Sequence, residues 1–150
     1  MNSSVATTDA IAAAILRITL GGVMLPHALQ KTLGLFGGGG WGATMNSFTT
    51  QLHLPWVIGA LVILFEQAVA LALVLGLLTR AAAVAIGIVM VGAVLTVHLR
   101  NGLFMNWFGN QAGEGYEFHL LVLAMVAALL IGGGGKLSVD GAWSRSRRVF

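Results

Sequence analysis

No cysteine occurs among the 150 residues of the chain. This absence excludes a disulfide framework, a metal site built from thiolates, and dithiol exchange on this chain. Charged residues are also scarce, at 9% of the sequence, whereas a soluble domain contains about 25%. Hydrophobic residues make up 57% of the chain and its mean hydropathy is +0.90, so most of its surface is expected to face lipid.

The charge balance is basic but weak. Eight Lys and Arg residues against five Asp and Glu residues give a net charge of +3. In such an apolar chain this excess indicates membrane orientation and contact with lipid headgroups, and no nucleic-acid partner is expected. The arginines near the end are too few and too terminal for a recognition surface; they are Arg145, Arg147 and Arg148.

Four apolar runs of helical length predict an all-α fold, an integral membrane bundle of four antiparallel helices. The predicted spans are about residues 10–29, 56–78, 81–99 and 116–131. Two longer loops, 32–54 and 100–115, are expected on the outer side, and residues 76–80 form a tight hairpin on the other side. The first run lacks the flanks of a signal peptide, so we expect it to be retained. The whole chain forms one transmembrane domain with a basic tail, residues 137–150.

The distribution of basic residues predicts the orientation of these spans. The N-terminus, the hairpin and the tail share one side, which holds Arg80 and Lys136 besides the three terminal arginines. The other side holds Lys31 and Arg100. Because basic loops stay on the cytoplasmic side, both termini are expected to be cytoplasmic.

One acidic residue, Glu66, lies in the middle of the apolar run from residue 56 to 78. That run is roughly 34 Å long as a helix, enough to cross a bilayer core of about 30 Å. An ionisable group at the midplane costs about 2.5–3.5 kcal/mol, so Glu66 should face protein or trapped water rather than lipid. Two interpretations remain open and can coexist: a buried ion pair with Arg17, or a ligand-binding or proton-exchanging carboxylate.

Further polar residues lie at the outer ends of the other spans. They are His27 and Lys31 on the first, His98 and Arg100 on the third, and Tyr116 and Glu117 on the fourth. A helical stripe carries Arg17, His27 and Lys31 toward the bundle interior. These side chains form a candidate polar cluster with Glu66, although interfacial anchoring, headgroup contact and the helix dipole explain several of them equally well. His119 is interpreted as ordinary. No pair has the spacing of a zinc-binding helix, so no metal site is expected.

Two glycine runs partly match nucleotide-binding motifs. Gly37, Gly39 and Gly42 satisfy a G-x-G-x-x-G pattern, but an apolar helix precedes them instead of a strand. Lys136 follows the run 132–135, yet the Walker spacing fails because residue 130 is Leu and Leu137 follows the lysine. Neither run predicts a nucleotide.

An ordered set of short motifs resembles the DoxX family, over roughly residues 15–140. The matching segments are residues 25–31 (LPHALQK) before a glycine-rich loop, the mid-helix Glu66, residues 76–80 (GLLTR), residues 96–104 (TVHLRNGLF) and residues 115–118 (GYEF). The resemblance implies a small four-helix protein of the bacterial inner membrane. Members are linked to thiosulfate:quinone oxidoreductase subunits, membrane-associated oxidative-stress complexes and quinone-related stress responses.

The favoured function is a membrane subunit of a redox or oxidative-stress system that binds a quinone or a similar small apolar molecule. His27, Lys31 and His98 would donate hydrogen bonds to it, and Glu66 and Glu117 would relay protons. No flavin, haem or iron–sulfur motif is visible, so electrons would come from a redox partner protein or from the substrate, and whether the chain is an enzyme stays open. The alternatives are a non-enzymatic scaffold that recruits a soluble partner through residues 136–150, and a small-solute or proton carrier. Glycine-rich faces permit an oligomer without requiring one.

Overall fold

The computed structural model describes residues 3–147, and the side chains of residues 8–147; Arg148, counted above in the basic tail, lies outside this range. The described chain is helical and contains no strand. Its helices are α1 (Ser3–Leu33), α2 (Gly40–Asn46) with a π-helical turn (Ser47–Gln51), α3 (Trp56–Leu75), α4 (Thr79–Ala93), α5 (Glu117–Gly132) and α6 (Val139–Ser146). A second π-helical turn (Val94–His98) and a short 3-10 turn (Leu99–Asn101) extend α4. The predicted all-helical class is confirmed.

Three helical segments are long and apolar enough to cross a membrane: Thr8–Leu33, Trp56–Leu75 and Thr79–Asn101. The segment Glu117–Gly132 is equally apolar in character but shorter, with 16 residues. As a helix it measures about 24 Å, below the bilayer core thickness of about 30 Å. The first helix also runs beyond the predicted span 10–29 at both ends. It accommodates the residues that disfavour a helix interior, Gly21, Gly22 and Pro26.

The four long helices, α1, α3, α4 and α5, pack around a common core, each against two of the others. Helix α1 packs on α3, α3 on α4, α4 on α5, and α5 on α1. The shared core consists of buried aliphatic and small residues, among them Leu20, Leu73, Ala83, Ile86, Val126 and Leu129. Gly21 allows α1 to approach α3 closely, since a Cβ there would lie 2.6 Å from the carbonyl oxygen of Ala70. Small residues at helix contacts therefore bring the backbones together, as is usual for membrane helices.

The turn between α3 and α4 is held by the C-terminal helix. Gly76 ends α3 in the left-handed region (φ +70°), and Leu78 follows at φ +47°. The carboxylate of Asp140 accepts hydrogen bonds from the backbone N–H groups of Leu78 and Thr79, both at 2.8 Å. In return, the N–H of Asp140 donates to the carbonyl of Gly76 at 3.0 Å. Helix α6 is thus fastened to the α3–α4 turn.

Candidate functional site

Glu66 is paired with a lysine from another helix. Its side chain is only 1% exposed, and Lys31 Nζ, from the last turn of α1, lies 2.7 Å from Oε1 and 2.5 Å from Oε2. Lys31 itself is 31% exposed. This is the only ion pair among the described residues. An anion in an apolar helix is stabilised when a cation contacts both of its oxygens, so the pair accounts for the carboxylate in the membrane.

The predicted pairing of Glu66 with Arg17 does not form. Arg17 is buried and donates instead to the backbone carbonyls of Leu73, Val74 and Leu137. Val74 lies in the last turn of α3, where carbonyls lack a helical partner and can accept from a side chain. The carbonyl of Leu73 also accepts from the N–H of Gly76, at 3.1 Å. Arg17 and Lys31 are about 21 Å apart along α1, and the lysine is the cation that reaches the level of Glu66.

A cavity of about 370 Å³ adjoins this ion pair, between α3 and α4 and beneath the chain that follows α2. We call it the α3–α4 cavity. Its polar lining comes from Lys31, Glu66, Thr96 and His98, and the rest is mostly apolar, including Phe48, Leu52, Leu54, Val62 and Ile88. Both π-helical turns border it, since Phe48 belongs to one and Thr96 and His98 to the other. Such turns often occur at functional sites because they shift side chains out of α-helical register.

The α3–α4 cavity opens onto the apolar surface of the protein. Ile88 lines it and is 68% exposed, and Ile58 lines it and is also exposed. In a bilayer, these residues would contact acyl chains. A ligand with an apolar tail could therefore enter sideways from lipid while its polar end meets the Lys31–Glu66 pair.

His98 is a second polar residue in the lining of the α3–α4 cavity. Its Nδ1 lies 2.8 Å from the carbonyl oxygen of Glu114. Because a carbonyl only accepts, Nδ1 carries the proton in this bond, and Nε2 of the neutral ring is then an acceptor. The ring of His119 lies 4.1 Å from that of His98 between centroids. His119 is buried, and its Nδ1 has no hydrogen-bond partner in the described part of the chain.

The structure brings only part of the predicted polar cluster together. Glu66, Lys31 and His98 line the α3–α4 cavity, whereas His27, Arg100, Tyr116 and Glu117 do not. Glu117 accepts from Trp107 Nε1 at 3.0 Å, and the N–H of Tyr116 donates to the carbonyl of Gly102. Arg100 is exposed beside the 100–115 loop, where it lines a different pocket with Glu114.

The prediction that His27 faces the bundle interior is wrong. Its side chain is exposed, with its ring centroid 6.3 Å from that of Phe118. Ala28, one position further, is fully buried. The buried face of α1 is therefore rotated toward Ala28, which leaves His27 at the edge of the stripe that also carries Arg17 and Lys31.

Two contributors to the site are not predicted by the sequence. The cover of the cavity lies between α2 and α3: Phe48 belongs to the π-helical turn, and Leu52 and Leu54 follow it. No periodic apolar pattern predicts that this segment folds back onto α3. The sequence indicates no special role for His119, and only packing shows that its ring lies against that of His98. Among residues 8–147, no group of three or more metal-ligating side chains is found.

Comparison with known proteins gives one match. The sequence model of the DoxX family matches residues 12–99, more than half of the chain and including Lys31, Glu66 and His98. No curated protein and no solved structure matches.

Proposed function

The chain belongs to the DoxX family, and from this premise we propose that it is a multi-pass membrane protein whose α3–α4 cavity binds a quinone or a similar small apolar molecule. The observation that carries the proposal is the position of the Lys31–Glu66 pair at the wall of an otherwise apolar cavity. Ligand sites commonly combine apolar walls with a few converging polar groups.

The chemistry of the lining suits a quinone headgroup. A quinone is a flat apolar ring with carbonyl oxygens that accept hydrogen bonds. The ammonium of Lys31 has three N–H donors. Two of them serve the oxygens of Glu66, so one remains for a ligand. Nε2 of His98 can accept from the hydroxyl of the reduced quinol. A cavity of about 370 Å³ holds a ring, and an isoprenoid tail would leave past Ile58 and Ile88.

The proposed role is that of a membrane subunit in a redox or oxidative-stress system of the bacterial inner membrane. The chain would supply the binding site, and a partner protein or the substrate would supply the electrons. The four long helices would run antiparallel across the bilayer with both termini in the cytoplasm. In support, the basic residues Arg80, Lys136 and Arg145 gather at the end of the protein that holds α6 and the α3–α4 turn.

A matched pair of glycine variants tests the proposal. Gly92 lines the α3–α4 cavity and Gly22 does not, and a Cβ added to either would meet nothing within 4 Å. The full chain in quinone-free nanodiscs is titrated with ubiquinone-1 and a short-tailed menaquinone, with binding followed by calorimetry. We expect saturable binding to the natural protein, with Kd raised about tenfold in Gly92→Leu, a loss of about 1.4 kcal/mol. Gly22→Leu should bind as the natural protein does.

Two results would contradict the proposal. One is the absence of saturable binding to the natural protein with either quinone. The other is an equal response of Gly22→Leu and Gly92→Leu, because binding would then not depend on the α3–α4 cavity; no change in either variant would indicate partitioning into lipid. A function as a scaffold for a soluble partner would be favoured by the first result.

A further inference from the structure

A second pocket, of about 570 Å³, lies at the end of the protein opposite to His98, where α6 meets the start of α4 and the end of α5. We call it the basic pocket. Three cationic residues line it, Arg80, Lys136 and Arg145, together with the glycine loop 133–135 and Asp140. It shares none of its residues with the α3–α4 cavity.

The cations of the basic pocket are positioned but not neutralised. Arg80 Nη2 donates to the carbonyl of Ile131 at 3.0 Å, and Arg145 Nη1 donates to the carbonyl of Lys136 at 2.9 Å. None of the three cations forms a salt bridge, since the pair found in residues 8–147 joins Lys31 and Glu66. Each guanidinium has five N–H donors, so both arginines retain donors for an anion.

The one carboxylate in the basic pocket does not cancel this charge. Both oxygens of Asp140 accept backbone N–H groups of the α3–α4 turn, from Leu78 and Thr79. Three cations against one engaged carboxylate leave a net positive pocket. Its glycine loop presents no side chain, so an anion can approach the backbone closely.

The basic pocket is bordered by exposed apolar side chains. Leu78, Ile131, Leu137 and Trp143 are all exposed at this end of the molecule. An exposed Trp next to basic residues is typical of the membrane–water interface. In a bilayer, the basic pocket would therefore lie at the level of the phosphates of the lipid headgroups.

We propose that the basic pocket binds a phosphate group, carried by an anionic lipid headgroup or by free phosphate. Guanidinium groups match phosphate oxygens geometrically, and the ammonium of Lys136 adds a mobile point charge. Basic pockets between membrane helices bind anionic lipid headgroups in other proteins.

Native mass spectrometry of the full chain in detergent tests this inference. Phosphatidylglycerol and phosphatidylcholine are added separately, and sodium phosphate is then titrated as a competitor. We expect a preference for phosphatidylglycerol, and Lys136→Gln should raise its Kd about fivefold, the effect expected of one basic residue at a membrane surface. The matched control is Arg100→Gln, which removes one exposed positive charge at the other end of the protein and should change Kd less than twofold. Arg145→Gln serves as a second variant if Lys136→Gln folds poorly.

The outcomes separate the two sources of phosphate. Displacement of the lipid by sodium phosphate shows one site that accepts both, and retention of the lipid shows a site for the headgroup alone. Phosphate binding without any lipid preference shows a site for the free anion, provided that Lys136→Gln weakens it. The inference is overturned if neither probe binds the natural protein. It is also overturned if Lys136→Gln and Arg100→Gln weaken binding equally, because the effect is then one of overall charge.

Discussion

The carboxylate of Glu66 is tolerated in an apolar helix because a single ammonium group contacts both of its oxygens. Removing one partner of a buried pair leaves a charge with neither water nor a counter-ion, which costs more than the pair itself contributes. Because Lys31 is 31% exposed, solvent or a ligand in the α3–α4 cavity still reaches the ammonium. The pair therefore combines a structural role with the capacity to meet a ligand.

Lys31→Met is expected to lower the free energy of unfolding by about 3 kcal/mol, since Glu66 then stays buried without its cation. The double variant Lys31→Met with Glu66→Met should recover most of this loss. Thermal unfolding of the purified protein in detergent measures both. Arg100→Met, at an exposed cationic residue without an ion pair, is the control and should unfold like the natural protein. A Lys31→Met protein as stable as the control would show that the pair is not needed to bury Glu66.

At the scale of elements, the C-terminal helix is part of the bundle rather than a loose tail. Asp140 fastens α6 to the α3–α4 turn, and Arg17 on α1 donates to the carbonyl of Leu137 just before α6. Ser138 caps α6 by accepting from the N–H of Gly141 at 3.0 Å. Three elements far apart in sequence thus meet at one end of the protein.

The attachment of α6 is expected to depend on pH. Burial raises the pKa of Asp140, but hydrogen bonds from Thr79 and Leu78, with the charge of Arg17, outweigh it and hold the pKa below its ordinary value. A carboxyl group with a lowered pKa in the folded state stabilises the fold above its unfolded pKa of about 3.9. That stabilisation is lost as the pH falls through the folded pKa.

Thermal unfolding at pH 6 and at pH 3 measures this dependence. The natural protein should be less stable at pH 3 than at pH 6. At pH 6 the free energy of unfolding of Asp140→Asn should already be lower than that of the natural protein by about 1 to 2 kcal/mol, because a charged hydrogen-bond acceptor is lost. Asp140→Asn should also show a smaller further loss at pH 3. Asp9→Asn, at an exposed aspartate in α1, should keep the full pH response of the natural protein. If the pH dependence of stability is unchanged in Asp140→Asn, it must arise from other titratable groups.

At the scale of the whole molecule, the two ends differ in chemistry. One end carries α6, the α3–α4 turn and the basic pocket. The other carries the 100–115 loop with the exposed aromatic residues Phe104, Trp107 and Phe108. This difference sets the expected orientation, with the basic end in the cytoplasm.

The absence of native cysteine makes this orientation directly measurable. Phe108→Cys and Ser146→Cys each introduce one thiol at an exposed position, at opposite ends of the protein. A maleimide that cannot cross the membrane in which the protein resides should label Phe108→Cys in intact cells, and Ser146→Cys only after that membrane is disrupted. Labelling of Ser146→Cys but not of Phe108→Cys in intact cells would show the opposite orientation. Labelling of both in intact cells would mean that the ends do not lie on opposite sides.

Much of the architecture follows from local sequence. The apolar runs specify helices and their lengths, because a chain with so few charges must satisfy its backbone internally in lipid. The need to shield Glu66 also follows from the sequence alone, since an isolated carboxylate is costly at the midplane wherever the other helices lie.

The partner of Glu66 was decided only by the tertiary structure. Arg17 and Lys31 lie on the same face of α1, so helical periodicity cannot choose between them. The choice depends on how far α3 is displaced along α1, and that is set by residues 34–55, which include α2 and a π-helical turn without a periodic signal. The same applies to His27 and His119, whose exposure and burial depend on small rotations of α1 and α5. Sequence by itself determined that a charge would be buried in a membrane helix; the axial offset and rotation of the packed helices determined which side chains surround it.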